Sequence, residues 1–205
     1  MTENTKNKLR DFRDFFWPML EPERSEKKDY TITLRECSFL SDKNIDLAIQ
    51  VAQDFAAREE DRRKTVENKA SILIGTFSVV ITILLSFLKD VISEMDQYPI
   101  FFIVIVFFSA SAIVVYLSFS TYYATKVLSR DSNGYKTVGI PKFLHDGTRD
   151  YKIQLFLKIR NSASSNMQTI NNKVNFMAMA YEFFKCAIRA VIFFTIILII
   201  FFIVA

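Results

Sequence analysis

Ser71, Gly75, Ser78, Thr82 and Ser86 stand four, three, four and four positions apart, so on a helix they share one side. Their side chains are small or carry a hydroxyl. On an apolar helix such a face can act as a packing seam, with backbones in close approach and hydroxyls bonding across the contact. It can also face an oligomer axis and line a narrow, uncharged, mildly polar pathway. Selectivity in that pathway would be poor, because no ring of charge lies within the apolar stretch. Ser111, Val115, Ser118 and Tyr122 repeat the spacing less strictly.

Other chemistry is sparse. The single His, His145, falls in a Gly-flanked loop, and a Gly-rich phosphate cradle, a Cys pair and a carboxylate inside an apolar stretch are all missing. No catalytic residue, cofactor site or metal site is therefore expected, nor an enzyme. Glu59, Glu60 and Asp61 sit among Arg and Lys, which fits ion pairing better than acid catalysis. Cys37 and Cys186 have no neighbouring Cys or His, so neither a disulfide nor a metal site is expected.

The elements that must position these residues follow from how the apolar residues are distributed. Of the chain, 51% is hydrophobic and 21 residues are Phe, against four Gly and four Pro, which excludes collagen-like, disulfide-framed and disordered chains. The mean hydropathy of +0.18 hides three blocks. Residues 70–88 carry no charge and cover about 28 Å as a helix, matching the bilayer hydrocarbon core. Residues 100–123, following Pro99, are also uncharged and end in Tyr122 and Tyr123, aromatic rings of the kind that settle at headgroup level. Residues 186–205 form a third span if Arg189 lifts its guanidinium toward the headgroups.

The connection at 89–99 has Lys89 against Asp90, Glu94 and Asp96, whereas 14 Lys/Arg precede the first span and 11 Lys/Arg against four acids lie between 123 and 189. Basic flanks stay cytoplasmic, so the short acidic loop faces outward, the N-terminus is cytoplasmic and the C-terminus lies outside. The charges Lys6, Lys8, Arg10 and Asp11 are not followed by an apolar core, so no cleavable signal peptide is expected and the first span directs insertion. The basic excess serves topology and anionic lipid, and nucleic acid is not an expected partner. Arg62, Arg63, Lys64, Lys69, Arg189, Tyr122 and Tyr123 are the expected interface anchors.

The cytoplasmic part is expected to be helical as well. Ser41 can cap a helix over 41–69 whose apolar positions Ile45, Ala48, Ile49, Ala52, Phe55 and Ala56 recur at helical spacing, and which continues into the first span over about 45 residues. A second helix over 149–185 carries Tyr151, Leu155, Ile159, Ala163, Ile170, Val174, Met177, Tyr181 and Phe184 on one side and also runs into a span. Its polar stretch Ser162, Ser164, Ser165, Asn166 is the expected place for a kink or break, since these side chains compete for backbone hydrogen bonds. Residues 124–148, with Gly134, Gly139, Gly147 and Pro141, read as a loop. In the N-terminal segment 1–40, Leu9, Phe12, Phe15, Phe16 and Leu20 suggest an interfacial or capping helix, and the alternation of Tyr30, Ile32 and Leu34 suggests a short strand. The expected fold is thus an all-α integral membrane protein with three transmembrane helices, two of them continuing long cytoplasmic helices that form a stalk.

The run Arg62, Arg63, Lys64, Thr65, Val66, Glu67, Asn68, Lys69 leads directly into a span. A hairpin with a short outer loop follows, and then a long cytoplasmic helix with Asn161, Asn172 and Lys173. This organisation, over roughly residues 45–185, resembles small bacterial membrane effectors of anti-phage defence, namely the effectors of Pycsar systems and the SLATT-like proteins linked to nucleotide signalling. The resemblance implies an inner-membrane homo-oligomer that impairs the membrane when a nucleotide-type signal arrives. The chain departs from those proteins in having no recognisable nucleotide-binding domain and in adding a third span. Two functions follow: an oligomeric effector that forms a pore or disrupts the bilayer, gated by its cytoplasmic helices, or a non-conducting scaffold that recruits a cytoplasmic protein partner through a helical stalk.

Overall fold

A computed structural model describes residues 41–93, 98–129, 135–136 and 149–204. Regular structure among the described residues is entirely helical: α1 (Asp42–Ser93, 52 residues), α2 (Ile100–Leu128, 29 residues) and α3 (Arg149–Val204, 56 residues). All three are long and apolar enough to cross a membrane, as an integral membrane protein requires. The readings for residues 1–40, including the strand at Tyr30, and for His145, Gly134, Gly139, Pro141 and Gly147 lie outside the described residues.

Local chemistry sets the helix ends. The Ser41 carbonyl accepts the Ile45 N–H at 3.0 Å and opens α1. The Pro99 carbonyl accepts the Phe102 and Ile103 N–H groups at 2.9 and 3.3 Å and opens α2, at a position where a missing proline N–H costs nothing. Two helix ends differ from expectation. α1 continues past residue 88 through Lys89 and Asp90 to Ser93, whose hydroxyl donates to the Asp90 carbonyl at 2.8 Å, so the connection expected at 89–99 is shorter. α2 likewise continues past Tyr123 to Leu128, taking the first five residues of the loop expected at 124–148.

The chain divides into two compact units. Of the described residues, one holds 68–93, 98–128 and 175–204, and the other 41–67, 129, 135–136 and 149–174. In the first, apolar unit, α2 is the most enclosed segment: 39% of its most apolar stretch is buried, against 11% for α1 and 22% for α3. Its buried residues Phe102, Val106, Ala110, Ile113, Leu117, Ser120, Ala124 and Val127 recur in steps of four and three. That averages close to 3.5 residues, the repeat of left-handed knobs-into-holes packing. Small residues let the helices approach: the buried Ser120 hydroxyl donates to the Ala180 carbonyl of α3 at 2.9 Å, and Ala180 is fully buried. Phe183 is stacked on Phe119 at 5.2 Å and on Tyr123 at 5.7 Å.

In the second, polar unit, α1 and α3 pair in parallel at a constant offset. Lys152 reaches Asp46 and Lys173 reaches Glu67, both partners being 106 residues apart. The two ion pairs are 21 positions apart on each helix, three heptads, so the register holds along the whole unit. Ile45 and Ile153 form the apolar contact at one end with Ile49, Phe156 and Leu157, and the Arg160 guanidinium lies 5.0 Å over the Phe55 ring.

α3 passes through Ser162–Asn166 without the expected break. The Asn166 side chain is engaged elsewhere: its Oδ1 accepts the Lys136 N–H at 2.9 Å and its Nδ2 donates to the Lys136 carbonyl at 3.0 Å. A side chain occupied in this way no longer competes for the backbone of its own helix. Asn166→Ala is expected to cost about 1 kcal/mol and to raise the amide exchange rate of Lys136 several-fold while leaving α3 protected, as read by hydrogen exchange.

Candidate functional site

Two groups of residues stand out, one in each unit. In the apolar unit Ser71, Gly75, Ser78, Thr82 and Ser86 are all exposed, as are Ser111 and Ser118 of α2. The stripe is thus not used as a seam within the chain, whose α1 contacts run through Ala70, Leu73, Leu84 and Val91 instead. Hydroxyls along it are satisfied locally: Ser78 donates to the Ile74 carbonyl at 3.4 Å and Thr82 to the Ser78 carbonyl at 2.9 Å. With their protons directed into the helix, these oxygens present lone pairs to whatever lies outside. A Cβ placed on Gly75 would meet nothing within 4 Å. Gly inside a helix costs roughly 0.5–1 kcal/mol relative to Ala, and no close contact among the described residues offsets that cost.

In the polar unit a charged cluster joins α1, α3 and the segment between α2 and α3. Lys173 is only 4% exposed, and its ammonium lies 2.7 Å from Glu67 Oε1 and 5.5 Å from the centre of the Tyr135 ring. The Arg63 guanidinium lies 4.4 Å from the centre of that ring and is paired with Glu60. Burial pushes the Tyr135 phenol above its ordinary range, which the charges of Lys173 and Arg63 only partly oppose. Among the described residues, Arg63 Nε is buried without a hydrogen-bond partner, at a cost of roughly 1–3 kcal/mol. The cluster ties three parts of the unit together but leaves some of its polar capacity unused.

No protein-family model, curated protein or solved structure matches the chain. No set of three or more His, Cys, Asp or Glu side chains among the described residues is placed to hold a metal ion.

The expected interface anchors divide between the units. Arg62 pairs with Glu59 at 3.6 Å and Lys64 with Glu60 at 3.8 Å, so with Arg63 they belong to the ion-paired face of the polar unit. Lys69, Tyr122, Tyr123 and Arg189 belong to the apolar unit; Lys69, Tyr122 and Arg189 are exposed and Tyr123 is half-buried against Phe183. Sequence reasoning gives no packing role to Ser109, Ser120, Lys173 or Tyr135. The signal for the two serines is the step of four and three that they share with the buried apolar residues of α2. For Lys173 it is a lysine at a position that the same repeat assigns to the interior.

Proposed function

We propose that this chain is an oligomeric inner-membrane effector of bacterial anti-phage defence, whose spans form a pore or disrupt the bilayer under the control of its cytoplasmic helices. The observation that carries the reading is Gly75: an exposed glycine at the centre of an exposed hydroxyl stripe, with open space over it. Copies of α1 approaching through that stripe would account for a residue that the single chain does not need. The acceptor oxygens of Ser78 and Thr82 would then face a shared axis and favour cations over anions weakly, without charge inside the membrane. Control comes from the polar unit, where the Lys173–Glu67 pair sets the register of α1 against α3. A nucleotide-type signal or a cytoplasmic protein that disturbs this pair would act on both helices.

Ser78→Leu together with Thr82→Leu is expected to abolish ion or dye leakage from cells expressing the protein, a loss of tenfold or more, while the oligomer survives in detergent. Gly75→Leu should leave the single chain folded, since the space is open, but prevent assembly as well as leakage. If the unaltered protein never leaks under any expression condition, and a cytoplasmic protein copurifies stoichiometrically through residues 41–69, the conducting reading fails and the helices are a recruiting scaffold.

A further inference from the structure

Tyr135 and Lys136, in the segment between α2 and α3, lie against both long helices of the polar unit and are held in two different ways. Asn166 of α3 holds the backbone: its Oδ1 accepts the Lys136 N–H at 2.9 Å and its Nδ2 donates to the Lys136 carbonyl at 3.0 Å. One residue offers both groups to the same side when its backbone is extended, as in the paired residues of an antiparallel ladder. Such a clamp reads the backbone, whatever the side chain.

Cations hold the ring. Its centre lies 4.4 Å from the Arg63 guanidinium of α1 and 5.5 Å from the Lys173 ammonium of α3, both within reach of cation–π attraction. The ring thus joins one helix to the other. It does so beside the pair that fixes their register, since Lys173 is bonded to Glu67 at 2.7 Å. Neither hold is strong. Both Asn166 bonds are exposed, where water competes for the same groups. Arg63 Nε is buried without a hydrogen-bond partner among the described residues, a donor that water satisfies once the ring withdraws. A backbone clamp beside a seat for one side chain is the recognition chemistry of an extended peptide, and here the chain's own segment is the peptide.

We propose that Asn166, Arg63 and Lys173 form a slot for an extended segment with an aromatic side chain, which Tyr135 and Lys136 fill in cis as a displaceable latch beside the Lys173–Glu67 pair. A protein presenting such a segment is the kind of partner that lifts the latch. The latch serves a conducting effector and a recruiting scaffold alike, and its test involves no leakage. The full chain in detergent is treated with a water-soluble amine-reactive ester, and the labelling rates of individual lysines are read by mass spectrometry. Lys173, 4% exposed, should react slowly; Lys152, 21 positions earlier on α3 with its side chain 35% exposed, is the control. Asn166→Ala should speed Lys173 about fivefold, the equivalent of about 1 kcal/mol, with Lys152 unchanged. Tyr135→Ala, which removes the ring from both cations, should speed it about tenfold or more, again with Lys152 unchanged. Tyr135→Phe keeps the ring and should stay within about twofold of the unaltered chain. A synthetic peptide copying residues 133–138, added in excess to the Tyr135→Ala chain, should slow Lys173 again, and the same peptide with Ala in place of its Tyr should not. A Lys173 rate that neither alanine variant moves overturns the proposal, as does a Tyr135→Ala rate that the peptide leaves unchanged. An equal rise at Lys152 also overturns it, because the unit then unfolds rather than unlatches.

Discussion

Lys173→Ala is expected to destabilise the polar unit by about 3 kcal/mol, at the lower end of the range for breaking a buried ion pair. The ammonium is nearly inaccessible, so its loss leaves a void and takes the ion pair from the Glu67 carboxylate, whose side chain is 30% exposed and can rehydrate in part. The Tyr135 ring loses one of its two cations at the same time. Replacing both partners, Lys173→Met with Glu67→Leu, should recover stability to within about 1 kcal/mol, because an apolar pair of similar volume carries no desolvation penalty. Amide exchange of the full chain in detergent reads the result: protection around residues 60–67 and 166–174 should fall in the single variant and return in the double. If both variants keep full protection, the pair does not set the register.

Phe183→Ala should be the most damaging single change in the apolar unit. Phe183 is 2% exposed and stacks on both Phe119 and Tyr123, bringing α3 against α2. In a bilayer the lost side chain forfeits little transfer energy, since lipid is as apolar as the core, and the cost is the void and the lost dispersion. We expect about 2–3 kcal/mol, below the soluble-protein range for Phe→Ala, seen as a fall in the thermal midpoint in detergent. Tyr181→Ala, two positions earlier but exposed, should change it by less than about 0.5 kcal/mol.

Much of the helical architecture is readable because charge and apolar residues are segregated along the chain. An uncharged run bounded by Pro99 on one side and by Arg and Lys on the other leaves few alternatives to a long apolar helix. The finer assignments on α3 are less readable. The expected stripe and the contact share Ile159, Ala163, Ile170 and Met177, all buried, but after Met177 the contact steps by three to Ala180 and Phe183, whereas the stripe steps by four to Tyr181, which is exposed. Steps of three and four keep pace with the neighbouring helix. Asn166 misleads for a different reason. Its partner, the Lys136 backbone, lies 30 residues away, and local propensity contains no trace of that contact. Lys173 is hidden because a lone lysine at an interior position becomes intelligible only once Glu67 is placed opposite it. For the hydroxyl stripe, spacing alone defines the face, and only the packing of Ala70, Leu73 and Leu84 shows that this face points away from the chain's own core.

The account depends on α1, α2 and α3 crossing a bilayer, with the polar halves of α1 and α3 on the same side. Cysteine labelling tests this most directly. With Cys37 and Cys186 replaced by Ala, Ser93→Cys at the end of α1 and Lys158→Cys in α3 are exposed in turn to a membrane-impermeant maleimide on intact cells. Ser93→Cys should react at once, and Lys158→Cys only after the membrane is permeabilised. Immediate reaction at Lys158→Cys, or recovery of the chain in the soluble fraction without detergent, would contradict the account.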